Sequence, residues 1–393
     1  MLKKDFKIFE KPYIYLDSAA SAQKPQVVLE RLMSFYQNEY ANVHRGSCHL
    51  AVKATELYEE ARQTVADFIH ADVKEIVFTK GATEAINLVA ASYAKTLKQG
   101  DEVLVCIAEH HANFVPWQQA CEHSGATFKT FNVLDDGMWD LKDVERRLTK
   151  HTKVVAVAAL SNVLGVVNPV EKVVKLAHEV GAKVMIDLSQ SIAHAPIDVE
   201  ELDCDYAAFS GHKIYGPNGI GVLYGKSGAL EELKPYQFGG DMVDKVTVEK
   251  TTFSEVPARF EAGTPPIANA IGLSEALKYV SKIGWAKIQD EETRFFARLI
   301  NGLKQIDGIE FLGNPDLKSS LVAFNIKGIH PDDLNLILAK ENVCARVGHH
   351  CAMPLHTHFG VPASLRVSLG LYNDENDVEM FLKALKKAIG FFK

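Results

Sequence analysis

Short apolar runs recur along the first two thirds of the chain, separated by longer stretches with helical spacing. Glu75 to Thr79, Glu102 to Ile107, Val154 to Leu160, Lys183 to Asp187, Tyr206 to Phe209 and Ile220 to Tyr224 are each short enough for a buried strand. Between them, Ala85 to Ala90 and Glu171 to Val180 read as helices. Ala54, Leu57, Tyr58, Ala61, Val65 and Phe68 fall on one helical face upstream. Pro25 opens another helix, where its missing N–H costs least. Strand alternating with helix from about residue 75 to 224 predicts an α/β fold with a mostly parallel sheet and helices on both faces.

After Gly240 the pattern changes. Asp241 to Glu261 is mixed and polar, and Glu261-Ala262-Gly263-Thr264-Pro265-Pro266 breaks structure. A long helical pattern then runs from Ile267 to about Ile306, with a break expected near Gly284. Short strands follow, Leu321 to Ile326 and Leu365 to Ser368, and the chain closes on an amphipathic helix. The expected organisation is a large domain over 20–262 and a smaller α+β domain from 1–19 and 263–393.

Composition narrows the class. With 393 residues, 47% hydrophobic and 24% charged, the chain has ample material for a sizeable core. A formal net charge of -7 argues against a nucleic-acid partner. No apolar run approaches the ~20 residues that span a bilayer, and the start of the chain has no secretory h-region. None of the six cysteines forms a C-x-x-C pair, and a reduced, cytoplasmic chain is the simplest account.

The chemistry gathers at the strand ends. Thr83, His110, Asn162, Asp187, Gln190, Ser210, His212 and Lys213 all follow directly on predicted strands, where α/β sheets place ligand groups. Lys213 sits in a glycine-rich turn between two core strands, a costly place for an ammonium. Joining it to an aldehyde as a Schiff base neutralises it. Lys213 thus reads as the anchor of pyridoxal 5′-phosphate. Asp187 suits the ring nitrogen, whose protonation the cofactor needs as an electron sink. Gln190 reads as a partner of the phenolic oxygen and His110 as a ring stacked on the cofactor. Thr83, Ser210 and His212 read as phosphate holders, because a strand–glycine–helix turn presents free N–H groups to an anion. Gly216, Gly219 and Gly221 run in the wrong order for a dinucleotide loop and lead into a strand.

Ser210-Gly211-His212-Lys213, Ser161-Asn162-Val163-Leu164-Gly165, Glu109-His110-His111-Ala112-Asn113, Phe260-Glu261-Ala262-Gly263-Thr264-Pro265 and Arg346-Val347-Gly348-His349-His350-Cys351-Ala352 resemble the cysteine desulfurases of the Suf type. These are class V, fold-type I enzymes of pyridoxal 5′-phosphate, and the likeness extends from Tyr15 to Arg366. It implies a homodimer that turns L-cysteine into L-alanine and leaves a persulfide on Cys351, supplying sulfur for iron-sulfur cluster assembly. It implies that Lys213 moves the Cα proton and that Arg366 clamps the substrate carboxylate, with Asn162 beside it. His44 and Arg346 join them as substrate-binding residues. Thr264 is expected to reach the cofactor phosphate of the partner subunit, and a sulfur acceptor of the SufE or SufU kind is expected downstream. Arg346, His349 and His350 are the cationic neighbours expected to ionise Cys351. Leu188-Ser189 departs from the family's usual residues between Asp187 and Gln190 without touching either position, and Cys48 stands where the family has none.

Three alternatives remain at this level. A selenocysteine lyase, acting on L-selenocysteine, shares the cysteine loop. A class V aminotransferase would need no Cys351. A metal module on His349, His350, Cys351, His356 and His358 lacks a second ligand pair at the usual spacing.

Overall fold

The computed structural model describes residues 2–392; Met1 and Lys393, the ends of the expected small domain, lie outside them. Seven strands form the main sheet in the spatial order Ile76–Thr79, Gly221–Gly225, Tyr206–Ser210, Lys183–Asp187, Thr152–Ala158, Glu102–Cys106 and Thr127–Phe131. All neighbours are parallel except Gly221–Gly225, which runs antiparallel to both strands beside it. The unalternating runs have the expected cause: in Thr152–Ala158, Val154 to Val157 are fully buried, so both faces are covered. The edge strand Thr127–Phe131 was not predicted, because its partly exposed Thr-Phe-Lys-Thr-Phe lacks an apolar run.

The second unit is an antiparallel sheet, Ile309–Phe311, Leu321–Ile326, Ser364–Ser368 and Arg346–Gly348 in that order. The N-terminal segment joins it: Ile14–Tyr15 pairs with Val343–Cys344, and Asp17 bridges to Ser368. Its core gathers Ile14 and Leu16 with Phe295, Leu299, Val322, Val367 and Phe381.

The expected boundary at 263 moves. The long helical pattern breaks at Gly284, whose φ of 84° suits glycine, into Ile267–Ile283 and Trp285–Lys304. Ile267–Ile283 buries Ile271, Leu273 and Leu277 in the large core, alongside Phe35 of helix Gln26–Asn38 and Tyr58 and Val65 of helix His49–Ile69. The helical contribution to the second core therefore starts with Trp285–Lys304, because the first of the two helices has its apolar face on the large unit. The polar stretch after Gly240 holds a small hairpin, Val243–Val246 with Thr251–Phe253.

Candidate active site

One close approach of backbone sets the anion end of the site. A Cβ on Gly221 would lie 2.3 Å from Gly81 Cα, so position 221 must be glycine for the turn after Ile76–Thr79 to sit on the neighbouring strand. That contact brings the start of helix Ala82–Tyr93 onto the end of Tyr206–Ser210, where Ala82 N–H donates to Ser210 Oγ at 2.8 Å. The remaining first-turn N–H groups have no intrahelical acceptors, and Thr83 stands exposed among them. His212 Nδ1 lies 3.2 Å from Ser21 Oγ, and burial with Lys213 and Lys24 nearby lowers its pKa to about 4.

Lys213 ends the short helical turn Gly211–Lys213 between the two strands. Burial lowers its pKa, against the pull of Asp187, while Arg366 lowers it further. A neutral amine is the form that condenses with an aldehyde. Asp187 is buried at the end of its strand and accepts from Ser189 N–H through Oδ1 at 2.8 Å. Gln190 is buried and donates Nε2–H to Ala19 O at 2.9 Å, tying the segment after Asp187 to the Ser18–Ser21 stretch. His110 accepts from Ala112 N–H through Nδ1 at 3.0 Å. Its pKa falls to about 4 through burial and the charge of Lys213, which outweigh Asp187. A neutral ring is thus held beside both Lys213 and Asp187.

The second unit supplies the other wall. Arg366, on strand Ser364–Ser368, is 3% exposed. Its Nη1 donates to Asn162 O at 2.9 Å and its Nη2 to Asp17 Oδ1 at 3.1 Å. Among the described residues its buried Nε–H has no acceptor. Leaving a donor of a charged group unmet in the interior is expensive, so Nε–H calls for an acceptor beyond Asp17 and Asn162, a place a substrate carboxylate fits. Burial holds the Arg366 pKa below its usual value even with Asp17 in contact.

Arg346, expected at the substrate, rests on a carboxylate in this structure. Its fork already sits on Asp17, with Nε 3.1 Å from each carboxylate oxygen and Nη2 at 2.9 Å from Oδ2. Asp17 therefore joins both arginines, a role that sequence reasoning missed. The visible signal was a carboxylate closing the apolar run Tyr13 to Leu16, the same signal that singled out Asp187.

Cys351 is exposed on a loop after Arg346–Gly348, and both it and His350 take left-handed backbone, φ 57° and 50°. Non-glycine residues hold that conformation only when their surroundings fix it. Here His111 N–H donates to Cys351 O at 2.6 Å, Asn162 Nδ2 to His350 O at 2.6 Å, and Met353 N–H to His111 Nε2 at 3.2 Å. His111 thus straps the loop to the large unit. Lys213, Arg346 and Arg366 all lie within charge range of Cys351, and the two arginines are the fixed positive charges near it. His350 is not one of its cations, contrary to expectation. It is buried with Nε2 3.0 Å from Ser364 O, and burial beside Arg366 and His356 drops its pKa to about 2.

Two expected residues lie apart within this chain. His44 is exposed, 3.0 Å from Glu59 Oε1, which raises its pKa, and it lines a recess with Arg62, Glu261 and Pro265. It is not brought to Arg366. Thr264 is exposed over a recess shared with Lys80 and Glu84 at the start of helix Ala82–Tyr93.

The donor set fits pyridoxal 5′-phosphate: a poised amine, a buried carboxylate at the next strand end, a neutral imidazole within charge range of both, and an open helix N-terminus. Fold and site together define a lysine-anchored pyridoxal 5′-phosphate enzyme. The aminotransferase class-V family model matches residues 14–381, and the chain belongs to that family. A probable cysteine desulfurase of Halalkalibacterium halodurans is 44% identical over 383 residues, 97% of this chain and 94% of the relative. A cysteine desulfurase of Dickeya dadantii is also 44% identical, over 98% of this chain and 95% of its own. The crystal structure of an Escherichia coli cysteine desulfurase bearing an S-sulfonic acid superposes with TM-score 0.93 at 38% identity, covering 99% of this chain and 98% of that one.

Proposed function

We propose that the chain is a cysteine desulfurase that converts L-cysteine to L-alanine and carries the sulfur as a persulfide on Cys351. One observation supports this most directly. A buried Arg366 Nε–H with no acceptor among the described residues lies within charge range of Lys213, and an exposed thiol held in left-handed backbone lies within reach of the charge of both.

Lys213 would carry pyridoxal 5′-phosphate, with Asp187 at the ring nitrogen, Gln190 at the phenolic oxygen, His110 against the ring, and Thr83, Ser210 and His212 at the phosphate. When bound, the cofactor supplies an electron sink for charge at the substrate Cα. Arg366 receives the substrate carboxylate, held in place by Asn162 O and Asp17. The neutral Lys213 amine takes the Cα proton. Cys351 thiolate attacks the substrate sulfur, forming an S–S bond as the Cβ–S bond breaks. The electron pair of that bond stays with the carbon fragment, which gains a proton and departs as alanine. Arg346 and Arg366 lie within charge range of the attacking sulfur.

Exposure of Cys351 leaves the persulfide open to an acceptor protein of the SufE or SufU kind, for iron-sulfur cluster assembly. A homodimer is part of this reading. Helix Gln26–Asn38 and the residues after it expose Leu29, Met33, Tyr36 and Tyr40, between 41% and 60% each, an apolar face of the kind that marks an interface. Thr264 then serves the partner's site. Borohydride reduction of the yellow protein followed by peptide mapping tests the anchor. A tag on Lys213 with alanine formed from cysteine is expected; a tag on another lysine refutes it.

A further inference from the structure

On the far side of the turn Ser161–Gly165, a cleft of 890 Å³ opens between the two units. Its size is that of a small-molecule site. Leu160 and Ile197 form one apolar wall, and Phe296 and Ile300 of helix Trp285–Lys304 the other.

Two buried polar groups in the lining lack what they need. Lys318 is 8% exposed, and its Nζ donates to Leu164 O at 2.7 Å and Leu312 O at 2.5 Å. Both acceptors are neutral, and among the described residues no carboxylate pairs with this ammonium. Ser320 is 2% exposed, and its hydroxyl has no hydrogen-bond partner among the described residues. A buried cation without a counter-charge and a buried hydroxyl without an acceptor are each costly, and both deficits are relieved by the same ligand group, an anion. Burial alone lowers the Lys318 pKa, to about 7, and a bound anion would raise it again by favouring the charged form.

The lining also limits how much negative charge can enter. Glu292 lies 2.8 Å from His194 and Asp198 2.7 Å from His70, partners that offset their charge only when protonated, and Asp316 pairs with Lys304 at 2.5 Å. Glu171 and Glu201 stand exposed at the rim. With one buried lysine against these carboxylates, a ligand with a single negative charge is better matched than a phosphate dianion. We propose that this cleft is a second ligand site, for a small monocarboxylate with an apolar body, its carboxylate received by Lys318 and Ser320 and its body lying on Phe296 and Ile300.

Octanoate is a suitable probe, with octanol and octylamine as neutral and cationic matches. Calorimetric titration of the cofactor-loaded enzyme should show one saturable octanoate site per chain and none for octylamine. Lys318→Met should weaken octanoate about 10-fold or more, the loss expected for a charged hydrogen bond. Ser320→Ala should weaken it by a smaller factor, and Ile300→Trp, which fills the cleft, should abolish it. Ser320→Ala and Ile300→Trp keep the test open if Lys318→Met does not fold. Arg366→Lys should leave this site intact. Absence of saturable binding overturns the proposal. So does equal affinity for octanol, tighter binding of octylamine, or a site lost with Arg366→Lys and kept in Ile300→Trp.

Discussion

Replacing Arg366 with lysine keeps the positive charge and removes the fork, which isolates what the guanidinium geometry does. In the wild type three of its donors have defined directions: Nη1 to Asn162 O, Nη2 to Asp17 Oδ1, and Nε with no protein acceptor. A lysine ammonium has three donors at one point. If two remain on Asn162 O and Asp17, the substrate carboxylate meets at most one poorly directed donor. Loss of one charge-assisted hydrogen bond is worth about 1.5–3 kcal/mol, which is about a 10- to 150-fold rise in KM for cysteine at 25 °C. Alanine release should fall much less at saturating cysteine, since Lys213 and Cys351 are untouched. The assay is initial-rate alanine formation across cysteine concentrations, with cofactor content measured by absorbance. A fully loaded Arg366→Lys enzyme with an unchanged KM would refute the assignment of the unpaired Nε–H to the substrate carboxylate.

Most of the sheet was readable because buried parallel strands are apolar throughout, and the strand-end residues were readable because a lysine, a carboxylate or a histidine there has few structural uses. Thr127–Phe131 escaped because an edge strand tolerates polar residues, and its pattern carries little apolar signal. The boundary at 263 was displaced for a related reason. A Gly-Thr-Pro-Pro break marks where a helix starts, while the choice of core depends on which face that helix buries. Asp17, His111 and the true sources of charge around Cys351 depend on contacts across more than two hundred residues, which no local pattern records. His350 shows the limit most plainly: adjacency to Cys351 suggested a cation, and burial against Ser364 makes it a neutral support.

Asp187→Asn should leave the fold intact and slow turnover on the order of 100-fold, the usual cost of removing a key electrostatic partner; near-normal turnover in the fully loaded variant would count against it. His350 binds its proton less readily folded than unfolded, with a pKa of about 2 against 6.5, so its contribution to stability is present above pH 6.5 and is lost as pH falls toward 2. His350→Gln should therefore flatten the fall in unfolding free energy between pH 6 and pH 4 by up to about 1.4 kcal/mol per pH unit, read from urea midpoints; parallel curves for variant and wild type would contradict the neutral-support role. Lys213→Ala mixed with a Thr264→Ala chain should recover part of the activity in mixed dimers; a fully active monomer on sedimentation would end the shared-site reading.

The central claim is that Cys351 takes the sulfur, and one measurement meets it directly. Wild-type and Cys351→Ala enzymes, both loaded with cofactor, are incubated with L-cysteine, alanine is quantified, and intact chains and peptides are weighed by mass spectrometry. The wild type should gain one sulfur, on the peptide that contains Cys351, and form alanine in step with it. Cys351→Ala should keep its cofactor and its response to cysteine in the visible spectrum, yet release no alanine. Alanine formed by Cys351→Ala at the wild-type rate, or a persulfide mapped to Cys48 with Cys351 unmodified, would contradict the account.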